Sequence, residues 1–463
     1  MFAAETYVRR RRRLTEQVGA GLIVFPGNGS SPMNYKDNPY EFRQDSSFLY
    51  FFGMDAPGLA GLIDVEGARE MIFGDDVTID DVIWMGPQRS VAEGAAEVGV
   101  AETMPLSRLA EVLGTGLRRG RQIHYLPQYR PENVLWLQDL LSISAPQVRA
   151  GASPELIRAV VAQRSVKSAA EVEEIESALD ICHAMQMEAM KAIRPGAYER
   201  EIVGLIEGLV IGRGSQVAFP TIFTVHGETL HNHDHGNVMQ GGDIVINDSG
   251  AESQLHYAGD ITRTIPVSGQ FSDRQKDVYK IVVDAQRAAF DAVRPGVLFR
   301  DVHLLACEVL AGGLKDLGVM KGDIKEAVAA GAHALFFQCG LGHMLGLDVH
   351  DMESLGEDYV GYTEAVVRSG QFGLRSLRLG RELKPGFVIT VEPGLYFIPQ
   401  LIDQWKAEKR LAEFINYEVV DRFRDFGGVR IEDDVLVTQK DCRILGRPIP
   451  RTVEAVEAAY GEK

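Results

Sequence analysis

The chain is 463 residues long, enough at roughly 100–200 residues per domain for two or three domains with cores of their own. Hydrophobic residues make up 45% of it and charged residues 24%, which excludes a disordered or fibrous chain, and no apolar run is long enough for a transmembrane helix. Asp and Glu outnumber Lys and Arg by 65 to 48, a formal charge of −17 that argues against nucleic acid or an anionic membrane as partner.

Arg9 to Arg13 form a basic run followed by LTEQVGAGLIVFPG. Thr, Glu, Gln and Gly break any apolar signal core there, so the run reads as the solvated face of a first helix. Residues 1 to about 150 read as an α/β unit. GLIVF, GLIDV and EMIFG are short β-type runs, and SRLAEVLGTGLRR carries apolar residues at helical spacing. The stretch 145–168 is small and Pro-punctuated before turning helical, which suits a connection between domains. From Ala169 a long helix runs through EVEEIESALDICHAMQMEAMKAI and stops at Arg194-Pro195-Gly196. The four cysteines (Cys182, Cys307, Cys339, Cys442) lie far apart with no C-x-x-C, arguing against a disulfide framework and for a reducing cytoplasm.

The remainder repeats itself in order. AIRPGAYEREIVGLIEGLVI at 192–211 matches AVRPGVLFRDVHLLACEVLA at 292–311, and GDIVINDSG at 242–250 parallels GFVITVEPG at 386–394. Two matches in the same order predict a duplicated αβ half closing around a two-fold, with Asp248 and Glu392 in equivalent places.

IVIND reads as a strand, and QLHYAGDITRTI as its returning partner. A hairpin would put Asp248 and Asp260 on adjacent strands, where facing Cβ atoms lie about 4.5–5.5 Å apart. Glu392 ends the apolar strand FVITVE, and Glu432 sits in the strand-like GGVRIEDDVLVT. A carboxylate inside an apolar run is paired or ligating, because a lone buried charge costs several kcal/mol. Two divalent cations cancel four such charges, which favours a dinuclear site, and oxygen-rich donors with one imidazole suit Mn²⁺, Co²⁺, Fe²⁺ or Zn²⁺. GLGHMLGLDVHD at 340–351 offers His343 as that imidazole, with His350 close enough to share a pocket. HNHDH at 231–235 reads as a loop, so one or two of His231, His233 and His235 are expected to line the site. A three-His zinc centre is the weaker reading. H-E-x-x-H, G-x-S-x-G and P-loop motifs are absent from the sequence.

NDSGAESQLHYAGDITRT, GLGHMLGLDVHD, TVEPGLYF and VRIEDD together resemble the signature of the pita-bread metallopeptidases that cleave Xaa-Pro bonds, aminopeptidase P and prolidase. EFRQDSSFLYFFG is similar to the N-terminal domain those enzymes share. The resemblance implies an α/β (α+β) fold: an aminopeptidase P-like domain over 1–155 and a pita-bread catalytic domain with internal duplication over 156–463. It implies that Asp248, Asp260, His343, Glu392 and Glu432 hold two divalent metals, most simply Mn²⁺, with Asp260 and Glu432 bridging. It further implies His231 near the scissile carbonyl, His350 in contact with substrate and Arg430 supporting the site. In the family a metal-bridging hydroxide attacks the carbonyl, and the carboxylate at the Glu392 position handles the proton.

Two departures accompany it. Cys339 stands where the family usually has His, and the Asp248–Asp260 interval is one residue longer, as a longer hairpin turn would make it. GLRSLRLGRELKPG is reminiscent of prolidase, in which an arginine at the Arg378 position holds a dipeptide carboxylate. KDNPYEFRQDSSF favours aminopeptidase P, in which an acid at the Asp37 position meets the substrate amino group. The resulting expectation is a cytoplasmic Xaa-Pro aminopeptidase acting on proline-containing peptides as a homodimer or homotetramer. Prolidase is the alternative, and a non-catalytic peptide-binding module a remote one.

Overall fold

A computed structural model describes residues 1–461 as two compact units, one of Met1–Arg164 with Ser354–Tyr359, the other of Ser165–Glu353 with the chain from Val360 onward. The helix Pro154–Arg164, across which the sequence reading draws its boundary, stands in the first unit.

In the first unit, five strands form one mixed sheet: β1 (Leu22–Pro26), β2 (Ala60–Asp64), β3 (Arg69–Phe73), β4 (Glu102–Met104) and β5 (Ile123–His124), in the order β4-β3-β2-β1-β5. GLIVF, GLIDV and EMIFG are thus the three central strands, joined antiparallel, with β4 and β5 added parallel at the edges. Period-two alternation sends Leu22, Val24, Leu62, Met71 and Phe73 to one face, where they bury against Leu109 and Leu113 of the helix Leu109–Arg118. SSFLYFF forms the helix Ser46–Phe52, whose first turn is capped by Asp45 accepting from the Phe48 N–H at 2.9 Å.

The basic run corrects one expectation. It lies on the helix Ala4–Val18, but Arg10 and Arg11 point inward and are buried. Arg11 pairs with Glu70 at 2.7 Å and donates to the Phe51 and Val98 carbonyls, while Arg10 donates to the Tyr50 carbonyl and lies 3.8 Å over that tyrosine's ring. Their partners come from the helix Ser46–Phe52, from β3 and from Val98, all far along the chain, which a local charge count cannot reveal.

The second unit repeats a helix–turn–helix–strand module. The helices Ala169–Ala192 and Glu199–Gly212 are joined by Arg194-Pro195-Gly196, and Asp273–Ala292 and Phe299–Asp316 by Arg294-Pro295-Gly296. Both turns need a left-handed residue, and Gly196 and Gly296 supply it at φ +86° and +85°. The Gly196 N–H donates to the Met239 carbonyl, and the Gly296 N–H to that of Leu383, at 2.8 and 3.0 Å. Nine residues beyond each acceptor stand Asp248 and Glu392, so the two acids occupy equivalent positions of the two halves.

Strands β6 (Ile222–Thr224), β7 (Ile244–Ser249) and β8 (Ile261–Pro266) form one antiparallel sheet in that order. In the other half β9 (Val388–Val391), β12 (Asp433–Val437) and β13 (Cys442–Ile444) form a second, while β10 (Gly394–Tyr396) pairs β11 (Gly428–Arg430). GGVRIEDDVLVT is therefore two strands, broken at Ile431–Glu432, and the break frees Glu432 from the ladder.

Candidate active site

The two acids of the first half reach one face by register. Asp248 on β7 opposes Thr262 on β8, and Asp260 lies two residues before Thr262 on the same face. They are therefore diagonal neighbours, not the directly facing pair expected from the sequence. The Glu252–Ala258 bridge continues the same register, so the long interval is a longer hairpin end and both carboxylates keep their face.

Each remaining group is held by its own local device. Gly342 lets the backbone at His343 approach β9: a Cβ there would collide with the Thr390 carbonyl, and instead the His343 N–H donates to Thr390 Oγ1 at 3.1 Å. His343 Nδ1 lies 3.1 Å from the Met344 carbonyl, which can only accept, so that nitrogen carries the proton. Nε2 faces the carboxylates, 3.5 Å from both Asp260 Oδ2 and Glu392 Oε1, and is the nitrogen placed to ligate a cation. Thr262 Oγ1 donates to Glu432 Oε2 at 2.7 Å, and Arg430 Nη2 donates to Asp248 Oδ2 at 2.6 Å.

These groups line one cavity of about 180 Å³ together with His231, His233, Cys339, His350 and Tyr396. Of the sequence-predicted residues, all five candidate ligands, His231, His350, Cys339 and Arg430 meet there. His231 is at the exposed rim; burial of its ring, then the Arg430 charge, lowers its pKa. Arg378 does not line the cavity but pairs with Glu353, which in turn accepts from His350 Nδ1 at 2.7 Å. Asp37 lies exposed on a turn of the first unit and is not among the lining residues. His235 engages the Phe223 carbonyl instead, so the HNHDH segment does not act as one three-His group.

The electrostatics are those of buried carboxylates crowded against one another. Burial raises the pKa of Asp260 and Glu432, reinforced by neighbouring carboxylates, and Glu392 is pushed up to about 7. Four buried carboxylate oxygens (Asp248 Oδ1, Asp260 Oδ1, Glu432 Oε1 and Asp434 Oδ1) have no hydrogen-bond partner. An unpartnered buried polar atom costs about 1–3 kcal/mol, more when charged, so the three of Asp248, Asp260 and Glu432, which line one cavity, fit cations placed among them. Asp260, His343 and Glu432 offer ligand atoms within 4.8 Å of one another. One imidazole and four carboxylates are the donor set of a divalent cation. Burial, then Glu392, pushes the Cys339 thiol up to about 12.

Sequence reasoning missed Asp434, which accepts the Asp260 N–H at 3.0 Å, and Tyr396, whose hydroxyl accepts from Arg430 Nη1 at 3.0 Å. Asp434 sits two residues beyond Glu432 and could have been found as a second acid interrupting the apolar run of IEDDVLV.

A profile of metallopeptidase family M24 matches residues 173–439, and one described as the aminopeptidase P N-terminal domain matches 7–124. The human Xaa-Pro dipeptidase is 34% identical, over 98% of this chain and 92% of that protein. The Xaa-Pro aminopeptidase of Escherichia coli K12 is 30% identical, over 98% and 97%. Among solved structures, Pseudomonas aeruginosa aminopeptidase PepP superposes with a TM-score of 0.81 at 29% identity, covering 99% of this chain and 98% of that one. Zinc-substituted E. coli aminopeptidase P in complex with product gives 0.80 at 27%, with the same coverage. The duplicated second unit with its carboxylate-rich cavity is thus a pita-bread fold, and the chain belongs to metallopeptidase family M24, with an aminopeptidase P-type domain at its N-terminus.

Proposed function

We propose that the protein is an Xaa-Pro aminopeptidase, a metal-dependent exopeptidase that hydrolyses the bond before a proline in second position and releases the N-terminal residue. The observation that carries this reading is the convergence of Asp248, Asp260, His343, Glu392 and Glu432, with their unpartnered oxygens, on one cavity. These five would hold two divalent cations, proposed as Mn²⁺ with Co²⁺, Fe²⁺ or Zn²⁺ able to substitute; the ions supply Lewis acidity and a more acidic water. Asp260 and Glu432 are proposed as the shared ligands.

The chain's own groups then divide the remaining work. Glu392, oriented by Thr390 Oγ1 at 3.3 Å, is placed to take a proton from the attacking water and pass it to the leaving nitrogen. Arg430, fixed by Asp248, Tyr396 and Thr262, holds Asp248 in its ligating orientation. With Nδ1 of His350 committed to Glu353, Nε2 of that ring is left for substrate, and His231 faces the cavity from its rim. Asp37 is proposed as a contact for the substrate amino group, and Cys339 as a neutral wall of the substrate pocket. The free thiols support a cytoplasmic location, and the charge of −17 supports neither nucleic acid nor an anionic membrane as partner; a homodimer or homotetramer acting on peptides is proposed from the family resemblance alone. No described helix is long and apolar enough to cross a membrane.

One observation favours prolidase as a second reading: Arg378 reaches the cavity's edge through Glu353 and His350, where it could clamp a dipeptide carboxylate. Hydrolysis of an Xaa-Pro dipeptide beside an Xaa-Pro-Xaa tripeptide, after chelation and with Mn²⁺ restored, separates the two. Metal-dependent cleavage of the tripeptide supports the aminopeptidase. Cleavage of the dipeptide alone, abolished by Arg378→Ala, establishes the prolidase.

A further inference from the structure

Away from the carboxylate cavity, three ligand-bearing side chains of another type meet in the second unit. His303 and Cys307 are one turn apart on the helix Phe299–Asp316, and His333 stands on the short 3-10 turn Ala332–Leu335. All three are buried, at 0%, 0% and 2% exposure, and one ligand atom from each lies within 4.8 Å of the others. The Cys307 sulfur is 3.4 Å from His303 Nε2. A tetrahedral or trigonal metal with bonds of about 2.0 Å to nitrogen and about 2.3 Å to sulfur holds such donors roughly 3.5–3.7 Å apart, close to this separation.

Helix packing alone does not account for the group. A Cys–His hydrogen bond would use only Cys307 and one nitrogen. His303 Nδ1 makes no hydrogen bond, and the His333 ring has only the Val328 carbonyl near it, outside good hydrogen-bond geometry, although both rings are buried. Buried imidazole nitrogens are normally partnered, and each one left bare costs about 1–3 kcal/mol. The His303 and His333 rings stand 6.5 Å apart at 71°, with Phe337 5.4 Å from His303 closing the group on an apolar side.

We propose that His303, Cys307 and His333 form a further metal site, for a soft thiophilic d¹⁰ cation, chemically distinct from the oxygen-rich cavity. Thiolate with imidazole selects copper(I) or zinc over the harder cations that carboxylates prefer. Both histidines are held neutral, as ligation requires: burial lowers His303 to about 3 and His333 to about 4, the latter only partly offset by the Val328 carbonyl. Burial also keeps Cys307 a thiol, so binding breaks its S–H bond, forms a sulfur–metal bond and releases one proton to solvent. A monovalent cation leaves the assembled site neutral, whereas Zn²⁺ leaves one positive charge buried. Charge thus ranks copper(I) ahead of zinc. A metal here would clip the helix to the turn that precedes Gln338-Cys339-Gly340-Leu341-Gly342-His343, the segment that brings His343 to the cavity.

The test is an anaerobic titration of the full, chelator-stripped chain with copper(I) and separately with Zn²⁺, read by X-ray absorption and by the melting temperature. The expected result is one equivalent bound with a sulfur scatterer, a melting temperature raised by several degrees, and preference for copper(I). The sulfur scatterer should vanish in Cys307→Ser, weaken at least tenfold in affinity in His333→Gln, and persist in Asp260→Asn and Cys339→Ser. Sulfur-bound zinc in place of copper would support the site and reverse the ranking. A wild-type chain with no sulfur-bound metal would overturn it, as would a signal that survives Cys307→Ser or is lost with Cys339→Ser.

Discussion

Arg430 Nη2 lies 2.6 Å from Asp248 Oδ2 in a buried ion pair that joins the two halves of the duplicated unit, from β11 to β7. The same guanidinium reaches the Tyr396 hydroxyl and Thr262 Oγ1, so all three of its nitrogens are engaged. One oxygen of Asp248 is thereby fixed while the other stays open toward the cavity. Lysine has neither the fork nor the reach to copy this. Arg430→Lys is expected to lower the affinity for the activating cation and kcat together, by about 10–100-fold, the usual effect of removing a group that orients a ligand. Isothermal titration with Mn²⁺ beside steady-state kinetics checks it, and an unchanged metal affinity would contradict the assigned role.

Asp434 predicts the opposite balance between stability and activity. Its carboxylate is buried with one oxygen accepting the Asp260 N–H and the other bare, and burial raises its pKa well above the ordinary value. Asp434→Asn keeps an acceptor for Asp260 and removes a charge from a repelling cluster. The metal-free variant should melt no lower than the wild type, while the Mn²⁺-loaded enzyme loses about 10–100-fold in turnover. Melting curves with and without metal decide it; a lower melting temperature of the metal-free variant would show that Asp434 acts by stabilising the fold.

In the first unit, His124 on β5 sits between Ser153 Oγ at 2.6 Å and the Ala20 carbonyl at 3.1 Å. Burial lowers its pKa below the ordinary 6.5, against a smaller opposing pull from Ala20 and nearby acids. The unfolded chain therefore binds a proton at a pH where the folded one does not. This histidine costs no stability above the unfolded value and costs progressively more as pH falls below about 6.5 toward the folded pKa. An NMR titration of the His124 ring should give a midpoint under 6.5, and a midpoint above it would contradict the assignment.

What was legible in the sequence follows from how each interaction is encoded. The acids at 248, 260, 392 and 432 interrupt apolar strands, and that conflict is visible without coordinates. The duplication was visible because turn glycines and strand-end acids recur in order. The inward turn of Arg10 and Arg11 was not, since their acceptors, the Tyr50, Phe51 and Val98 carbonyls and the Glu70 carboxylate, lie far along the chain. The diagonal placing of Asp248 and Asp260 depends on hairpin register, which period-two alternation leaves free by steps of two. His303 and Cys307 have helical i,i+4 spacing, but their third member, His333, lies 26 residues beyond Cys307 and joins them only through the fold.

The central claim is that the buried carboxylates act by holding activating cations, and Asp260→Asn tests it most directly. The substitution preserves shape and the Asp260 N–H bond to Asp434 while removing a charge proposed to be shared by both metals. Turnover of an Xaa-Pro-Xaa tripeptide should be lost in the Mn²⁺-replete variant, with its melting temperature kept or raised in the absence of metal. Full activity of metal-replete Asp260→Asn would contradict the account.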